Sequence, residues 1–213
     1  MIAIIDYGVG NLRSVQKGFE RNGHRAIITR DRHQIESAAG VVLPGVGAFA
    51  ACMNGLRDCG LVETVHRIVK LQIPLLGICV GMQILFTESL EFGRVKGLNI
   101  LPGTIVGFAP SSPQSYKIPH MGWNSLTIKN PAPHLEGVIP GSHVYFVHSY
   151  YPVPEDTSIV ATTTEYGSVF ASSIWSNNVF ATQFHPEKSQ TVGLRILHNF
   201  ARIVHGAPLK SSS

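Results

Sequence analysis

Cys79 stands in the run Ile73-Pro-Leu-Leu-Gly-Ile-Cys-Val-Gly-Met-Gln83, and further along the chain comes Phe184-His185-Pro186-Glu187. A thiol, an imidazole and a carboxylate are the parts of a nucleophilic relay, in which the base takes the thiol's proton and the acid holds the base in one tautomer. The first segment is apolar up to Gly77, and a helical pattern with Met82, Ile84, Leu85 and Phe86 follows Gly81. Small residues at 77 and 81 permit the sharp strand-to-helix turn of a nucleophile elbow, which leaves position 79 at a helix N-terminus where peptide dipoles favour a thiolate. In the second segment a strand over 179–184 ends on His185, and the rigid Pro186 lets Glu187 lie behind the imidazole. A single Cys or His is more often structural than catalytic. It is the constellation, in this order along the chain, that points to catalysis.

A third piece is the loop Leu43-Pro-Gly-Val-Gly-Ala-Phe49. Glycines after a buried strand let backbone N–H groups, here those of Val46 and Gly47, face a reacting carbonyl, so this loop is the best oxyanion-hole candidate, with the Val80 N–H as a further donor. A plain strand-to-helix turn is the competing reading. Asp6-Tyr-Gly-Val-Gly10 lacks the third glycine of a dinucleotide fingerprint, so no such site is expected. Cys52, Cys59 and His66 recur every seven residues, which along one helix is about 10 Å, too far for a shared metal. They read as one helix face, and neither a metal nor a cofactor is expected.

The elements that must position these groups alternate. Residues 2–5 form a continuous apolar run, as in a strand buried on both faces, and lead to a helix capped by Asn11. That helix points Leu12, Val15 and Phe19 inward and Arg13, Lys17 and Arg21 outward, and ends at Asn22-Gly23. Strands follow at 26–29 and 40–43, then helical segments through 69, then the elbow strand at 74–78. Such alternation predicts a doubly wound, mostly parallel sheet with its site at the strands' carboxyl ends. Beyond about residue 100 helices give way to short strands, near 104–108, 144–151, 159–164, 169–175 and 179–184, which add antiparallel sheet to the parallel core. A final helix over 191–204 precedes a frayed tail at 207–213. Trp123, in what reads as a loop over 119–124, is placed as a gate or a contact hot spot, with core packing the competing reading.

At 213 residues the chain has room for one α/β domain, over 1–206. Hydrophobic residues at 44% against 14% charged leave no room for long disordered tracts. The net charge of +4 is spread along the chain rather than run together, so nucleic acid is not implied. Three cysteines make no disulfide framework, and neither a signal-like segment nor a bilayer-length apolar run is visible. The cytoplasm and no membrane role are the expectation.

Over essentially its whole length the chain resembles the class I glutamine amidotransferase family, through Gly77-Ile-Cys-Val-Gly-Met-Gln83 and Gln183-Phe-His-Pro-Glu187, with Pro44-Gly-Val-Gly47, Pro119-His-Met-Gly-Trp-Asn124 and Tyr145-Phe-Val-His-Ser-Tyr150 similar to one branch of it. The resemblance implies a flavodoxin-like fold and a glutaminase in which Cys79 attacks the glutamine amide, His185 shuttles protons and Glu187 orients His185. It further implies that Gln83, Glu91, Ser149 and Tyr150 hold glutamine, and that Asn11, Trp123 and Lys188 meet a partner. That partner would be a (β/α)8 cyclase subunit, joined in a heterodimer, which uses the ammonia to make imidazole glycerol phosphate and aminoimidazole carboxamide ribotide in histidine biosynthesis. Val80 stands where Leu is more usual and Asn99 where Gly is commoner; neither touches the relay. Rival readings are a glutaminase serving another synthase, a non-catalytic scaffold of the same fold, and a cysteine peptidase or esterase, which Gln83 and the His-Pro-Glu spacing disfavour.

Overall fold

Four strands with almost no exposed side chain lie side by side at the centre of the molecule. They belong to a computed structural model that describes residues 1–108 and 116–206; the expected tail at 207–213 lies outside these. β1 (Ile2–Ile5), β3 (Gly40–Gly45), β4 (Leu75–Cys79) and β14 (Val179–Thr182) are buried at every position, as the apolar runs require of parallel strands covered on both faces. Together with β2 (Ala26–Thr29), β9 (Thr127–Ile128), β12 (Val160–Tyr166) and β13 (Ser168–Ser176) they form an eight-stranded sheet in the order β2-β1-β3-β4-β14-β13-β12-β9. Pairing is parallel from β2 to β14 and antiparallel beyond it. β14 therefore lies directly against β4, and the segments carrying Cys79 and His185 leave the sheet as neighbours at the same end.

The first helix, α1 (Leu12–Arg21), buries Val15 and Phe19 and exposes Arg13, Lys17 and Arg21, as its periodicity dictates. Asn11 occupies the N-cap position, but its side chain makes no capping hydrogen bond, contrary to the expected cap. At the other end Gly23 takes a positive φ of 75°, the usual exit from a helix. Phe19 packs on Phe200 of α6 (Gln190–Val204), with ring centroids 6.3 Å apart. On another part of the sheet α2 (Arg32–Glu36) is joined to α4 (Val62–Lys70) by Arg67 and Glu36. α3 (Phe49–Asp58) ends before Cys59, so Cys52, Cys59 and His66 do not share one helix face as expected: they fall on α3, on its C-cap and on α4.

The expected helix through Phe86 is also shorter. α5 (Val80–Gln83) has four residues, and the chain turns into β5 (Phe86–Ser89), which with β6 (Val95–Lys96), β7 (Leu101–Gly107) and β11 (Tyr150–Pro154) makes a second sheet in the order β11-β7-β5-β6. A two-stranded ribbon pairs β8 (His120–Ser125) with β10 (His143–His148). The single strand expected over 144–151 is thus two strands in different sheets, broken at Ser149, and Trp123 sits in a strand rather than a loop. The ribbon covers a second apolar cluster, separate from the main core, that includes Phe108, Phe146, Phe170 and Phe184. Each buried phenylalanine contributes roughly 2–3 kcal/mol, enough for the cluster to fix the ribbon beside the strand ends that carry the relay.

Candidate active site

Cys79 ends β4 with φ 56° and ψ −115°, a conformation that costs a side-chain-bearing residue on the order of 1–3 kcal/mol. The surroundings enforce it. Gly81 approaches β3 so closely that a Cβ there would lie 1.9 Å from the Leu43 carbonyl oxygen, and a Cβ on Gly45 would lie 2.5 Å from the Gly81 nitrogen. The elbow is thus wedged against the 44–47 loop by backbone contacts only glycine permits. Because α5 is a single turn, its dipole is small, and any charge on the sulfur must be stabilised chiefly by a side chain.

That side chain is His185. Its Nδ1 lies 2.8 Å from Glu187 Oε1, and both side chains are 1% exposed. Burial alone would push the imidazole down, but its interactions with the Cys79 thiol and then with Glu187 outweigh that and hold it well above the usual histidine range. Nε2 of His185 and Oε2 of Glu187 are buried without a hydrogen-bond partner of regular geometry, so the imidazole is held from one side only and its other nitrogen stays available. The turn itself is fastened to β10: the His185 N–H donates to the Tyr145 carbonyl, Ser189 Oγ donates to the His185 carbonyl, and the Tyr145 N–H donates to Ser189 Oγ.

Beside Cys79 opens a cavity of about 380 Å³. Its lining includes Val46, Gly47, Cys79, Val80 and His185 together with Gln83, Glu91, Ser149, Tyr150 and Lys188. Ten of the residues singled out in the sequence therefore meet in one cavity. Glu187 stands behind His185 and does not face it. Asn11 and Trp123 lie outside its lining; Trp123 is 46% exposed, its ring 6.1 Å from that of Tyr145, over which the Lys188 ammonium lies at 5.8 Å. Glu91 accepts the Phe49 N–H at 2.6 Å, which fixes one carboxylate oxygen at the cavity wall.

Sequence reasoning named Gln183, His120 and His148 only as parts of motifs and gave none of them a role. Gln83 Nε2 donates to the Tyr150 carbonyl and to Gln183 Oε1, and Gln183 Nε2 reaches towards Cys79 Sγ at 3.9 Å. His148, also in the cavity lining, has Nδ1 at 2.9 Å from the same Tyr150 carbonyl and Nε2 at 2.9 Å from His120 Nδ1. Since the carbonyl can only accept, His148 Nδ1–H donates to it, and Nε2 of neutral His148 accepts the hydrogen bond that His120 Nδ1–H donates. Burial holds both imidazoles neutral, near 3 for His148 and near 4 for His120.

A strained thiol at an elbow, an imidazole backed by a carboxylate and a cavity lined also by the carboxylate of Glu91 suit cleavage of an acyl bond in a small substrate that carries a cation. The chain belongs to the glutamine amidotransferase class-I family, whose model matches residues 3–204. Within it the chain is 57% identical to the imidazole glycerol phosphate synthase subunit HisH of Syntrophotalea carbinolica, covering 94% of this chain and 98% of that one. It is 53% identical to the HisH subunit of Geobacter sulfurreducens, covering 95% and 98%. The fold is shared with solved structures of a glutamine amidotransferase (TM-score 0.71, 20% identity, 97% of this chain and 100% of that one) and of another from Thermotoga maritima (TM-score 0.65, 14% identity, 99% and 98%).

Proposed function

We propose that the chain is the glutaminase subunit of imidazole glycerol phosphate synthase, releasing ammonia from glutamine for a cyclase subunit in histidine biosynthesis. The supporting observation is the single cavity lined by Cys79, His185, Gln83 and Glu91, together with HisH relatives that match nearly the whole chain. The Cys79 sulfur attacks the side-chain amide carbon, and the tetrahedral oxyanion is met by the Val80 N–H and an N–H of Val46 or Gly47. His185, kept protonated by its partners, gives its proton to the departing nitrogen, which leaves as ammonia. Neutral His185 then takes a proton from the water that attacks the thioester, glutamate departs, and the thiol–imidazole pair is restored. Glu91 faces the substrate's α-ammonium, while Gln83, Ser149 and Tyr150 shape the wall around its body.

Ammonia is useful to a second enzyme only if it does not meet bulk water first, where it is protonated. The cyclase partner therefore covers the mouth of the cavity, meeting Trp123, Lys188 and Asn11, as a heterodimer in the cytoplasm. Among the described residues no helix is long and apolar enough to cross a membrane. The test mixes the purified chain with a matching cyclase subunit and follows glutamate release from glutamine, with and without the nucleotide substrate. Release should rise strongly with both additions and vanish in Cys79→Ala. Release indifferent to cyclase and nucleotide would assign the chain to another synthase, and silence under every condition would make it a scaffold.

A further inference from the structure

Two buried hydrogen-bond donors lie beneath the 44–47 loop and take no part in the relay. Tyr7, just past β1, donates its hydroxyl proton to the Pro44 carbonyl at 2.5 Å. Cys52, on α3, has its sulfur 3.4 Å from the Val46 carbonyl oxygen. Tyr7 is 2% exposed and Cys52 0%, and neither lines the cavity, so both carbonyls are turned into the core. We propose that Tyr7 and Cys52 are positioning residues of the oxyanion hole: by engaging the loop's carbonyls from below, they leave its N–H groups to face the reacting amide at Cys79. This rests on the glutaminase function proposed above.

An oxyanion hole fails as readily through a misplaced carbonyl as through a missing N–H, since a C=O turned into the cavity repels the developing charge. In a planar trans peptide the C=O and N–H point in opposite directions. Holding the Val46 carbonyl against Cys52 therefore aims the Gly47 N–H the other way. Holding the Pro44 carbonyl fixes the preceding plane, so the Gly45–Val46 peptide, which carries the Val46 N–H, is the one unit of this stretch that can turn between two anchored neighbours. The three parts are in close contact: a Cβ on Gly45 would lie 3.1 Å from the Tyr7 hydroxyl and 2.5 Å from the elbow nitrogen of Gly81. Burial raises both groups, Cys52 to about 11 and Tyr7 well above the usual phenol, so both remain protonated donors wherever the enzyme works.

The test compares wild type with Tyr7→Phe, Cys52→Ala and Cys52→Ser in the full chain with its cyclase and nucleotide, by glutamate release, alongside the rate at which iodoacetamide labels Cys79. Tyr7→Phe and Cys52→Ala should each lower kcat about tenfold with KM for glutamine nearly unchanged. Cys52→Ser, whose hydroxyl can still donate to Val46, should recover most of the loss. Labelling of Cys79 should be equal in all four, since His185 rather than the loop activates the sulfur. Unchanged kcat in Tyr7→Phe and Cys52→Ala would overturn the proposal, as would a loss in Cys52→Ser equal to that in Cys52→Ala, which would mark Cys52 as packing. A wild type that releases no glutamate with any addition would instead remove the glutaminase reading, and the positioning role with it.

Discussion

In the proposed mechanism the imidazole of His185 carries the protons, and Glu187 Oε1 lies 2.8 Å from its Nδ1. The expected helix dipole shrinks to one turn, so the proposed relay relies on His185, which Cys79 and Glu187 hold above its ordinary range against the effect of burial. Two outcomes follow. Glu187→Gln should lower kcat by roughly 10²-fold or more, because an amide orients the ring without stabilising its cation. The same substitution should bring the alkaline limb of the kcat/KM profile to lower pH by about one unit, since that limb marks loss of the imidazolium proton and the carboxylate that held it is gone. An alkaline limb unmoved in Glu187→Gln would mean that Glu187 only packs. Cys79, His185 and Glu187 were legible in the sequence because each carries an unusual residue type in a constrained neighbourhood of Gly or Pro. Gln183 and His148 were given no role for a physical reason: an uncharged amide or a buried imidazole in a strand looks like any half-buried polar residue until its partners are known.

The parallel strands were readable from their uninterrupted apolar runs, and α1 from its period, whereas the ribbon strand β8 was not. His120-Met-Gly-Trp-Asn-Ser125 has a glycine at its centre and no alternation, so its strand state comes from pairing with β10 and from the aromatic cluster beneath rather than from local preference. There His120 stacks on Phe146 and Tyr166, with ring centroids at 4.8 and 4.0 Å. The elbow shows the opposite balance, since its glycines are demanded by backbone contact. Gly81→Ala should destabilise the fold by more than about 3 kcal/mol, because the methyl would meet the Leu43 carbonyl and neither backbone can retreat. Gly47→Ala has open space and only the strain of φ 83° to bear, so it should cost about 1–2 kcal/mol. Denaturant midpoints of the two variants should therefore differ widely, and near-equal midpoints would refute the wedge described for the elbow.

Taken as a whole, the molecule keeps several imidazoles buried and uncharged. His134 and His148 are held near 3 and His120 near 4, each chiefly by burial. Their folded values lie below the unfolded value of about 6.5, so between these limits the unfolded chain binds more protons. The stability they confer is complete well above pH 6.5 and is lost as pH falls through 6.5 to the folded values of about 3 to 4. Between pH 7.5 and 5 the loss should reach roughly 2 kcal/mol for each of His134 and His148. His185 acts in the other direction: its folded value is raised, so its contribution is present below 6.5 and fades only as pH climbs through that raised value. Urea unfolding at pH 7.5 and pH 5 should show a marked fall in midpoint at the lower pH, and a flat response would mean that these imidazoles are hydrated in solution.

The order of strands in the large sheet also bears on when the protein becomes active during its synthesis. β4 and β14 are neighbours in space, yet the second sheet, the ribbon and the antiparallel strands all lie between them in sequence. A nascent chain that has just displayed Cys79 has no imidazole beside it, and a product truncated before residue 185 never acquires one. On the proposed mechanism, incomplete copies and proteolytic N-terminal fragments should therefore release no ammonia, and a cell that degrades them should spill no glutamine nitrogen in the process.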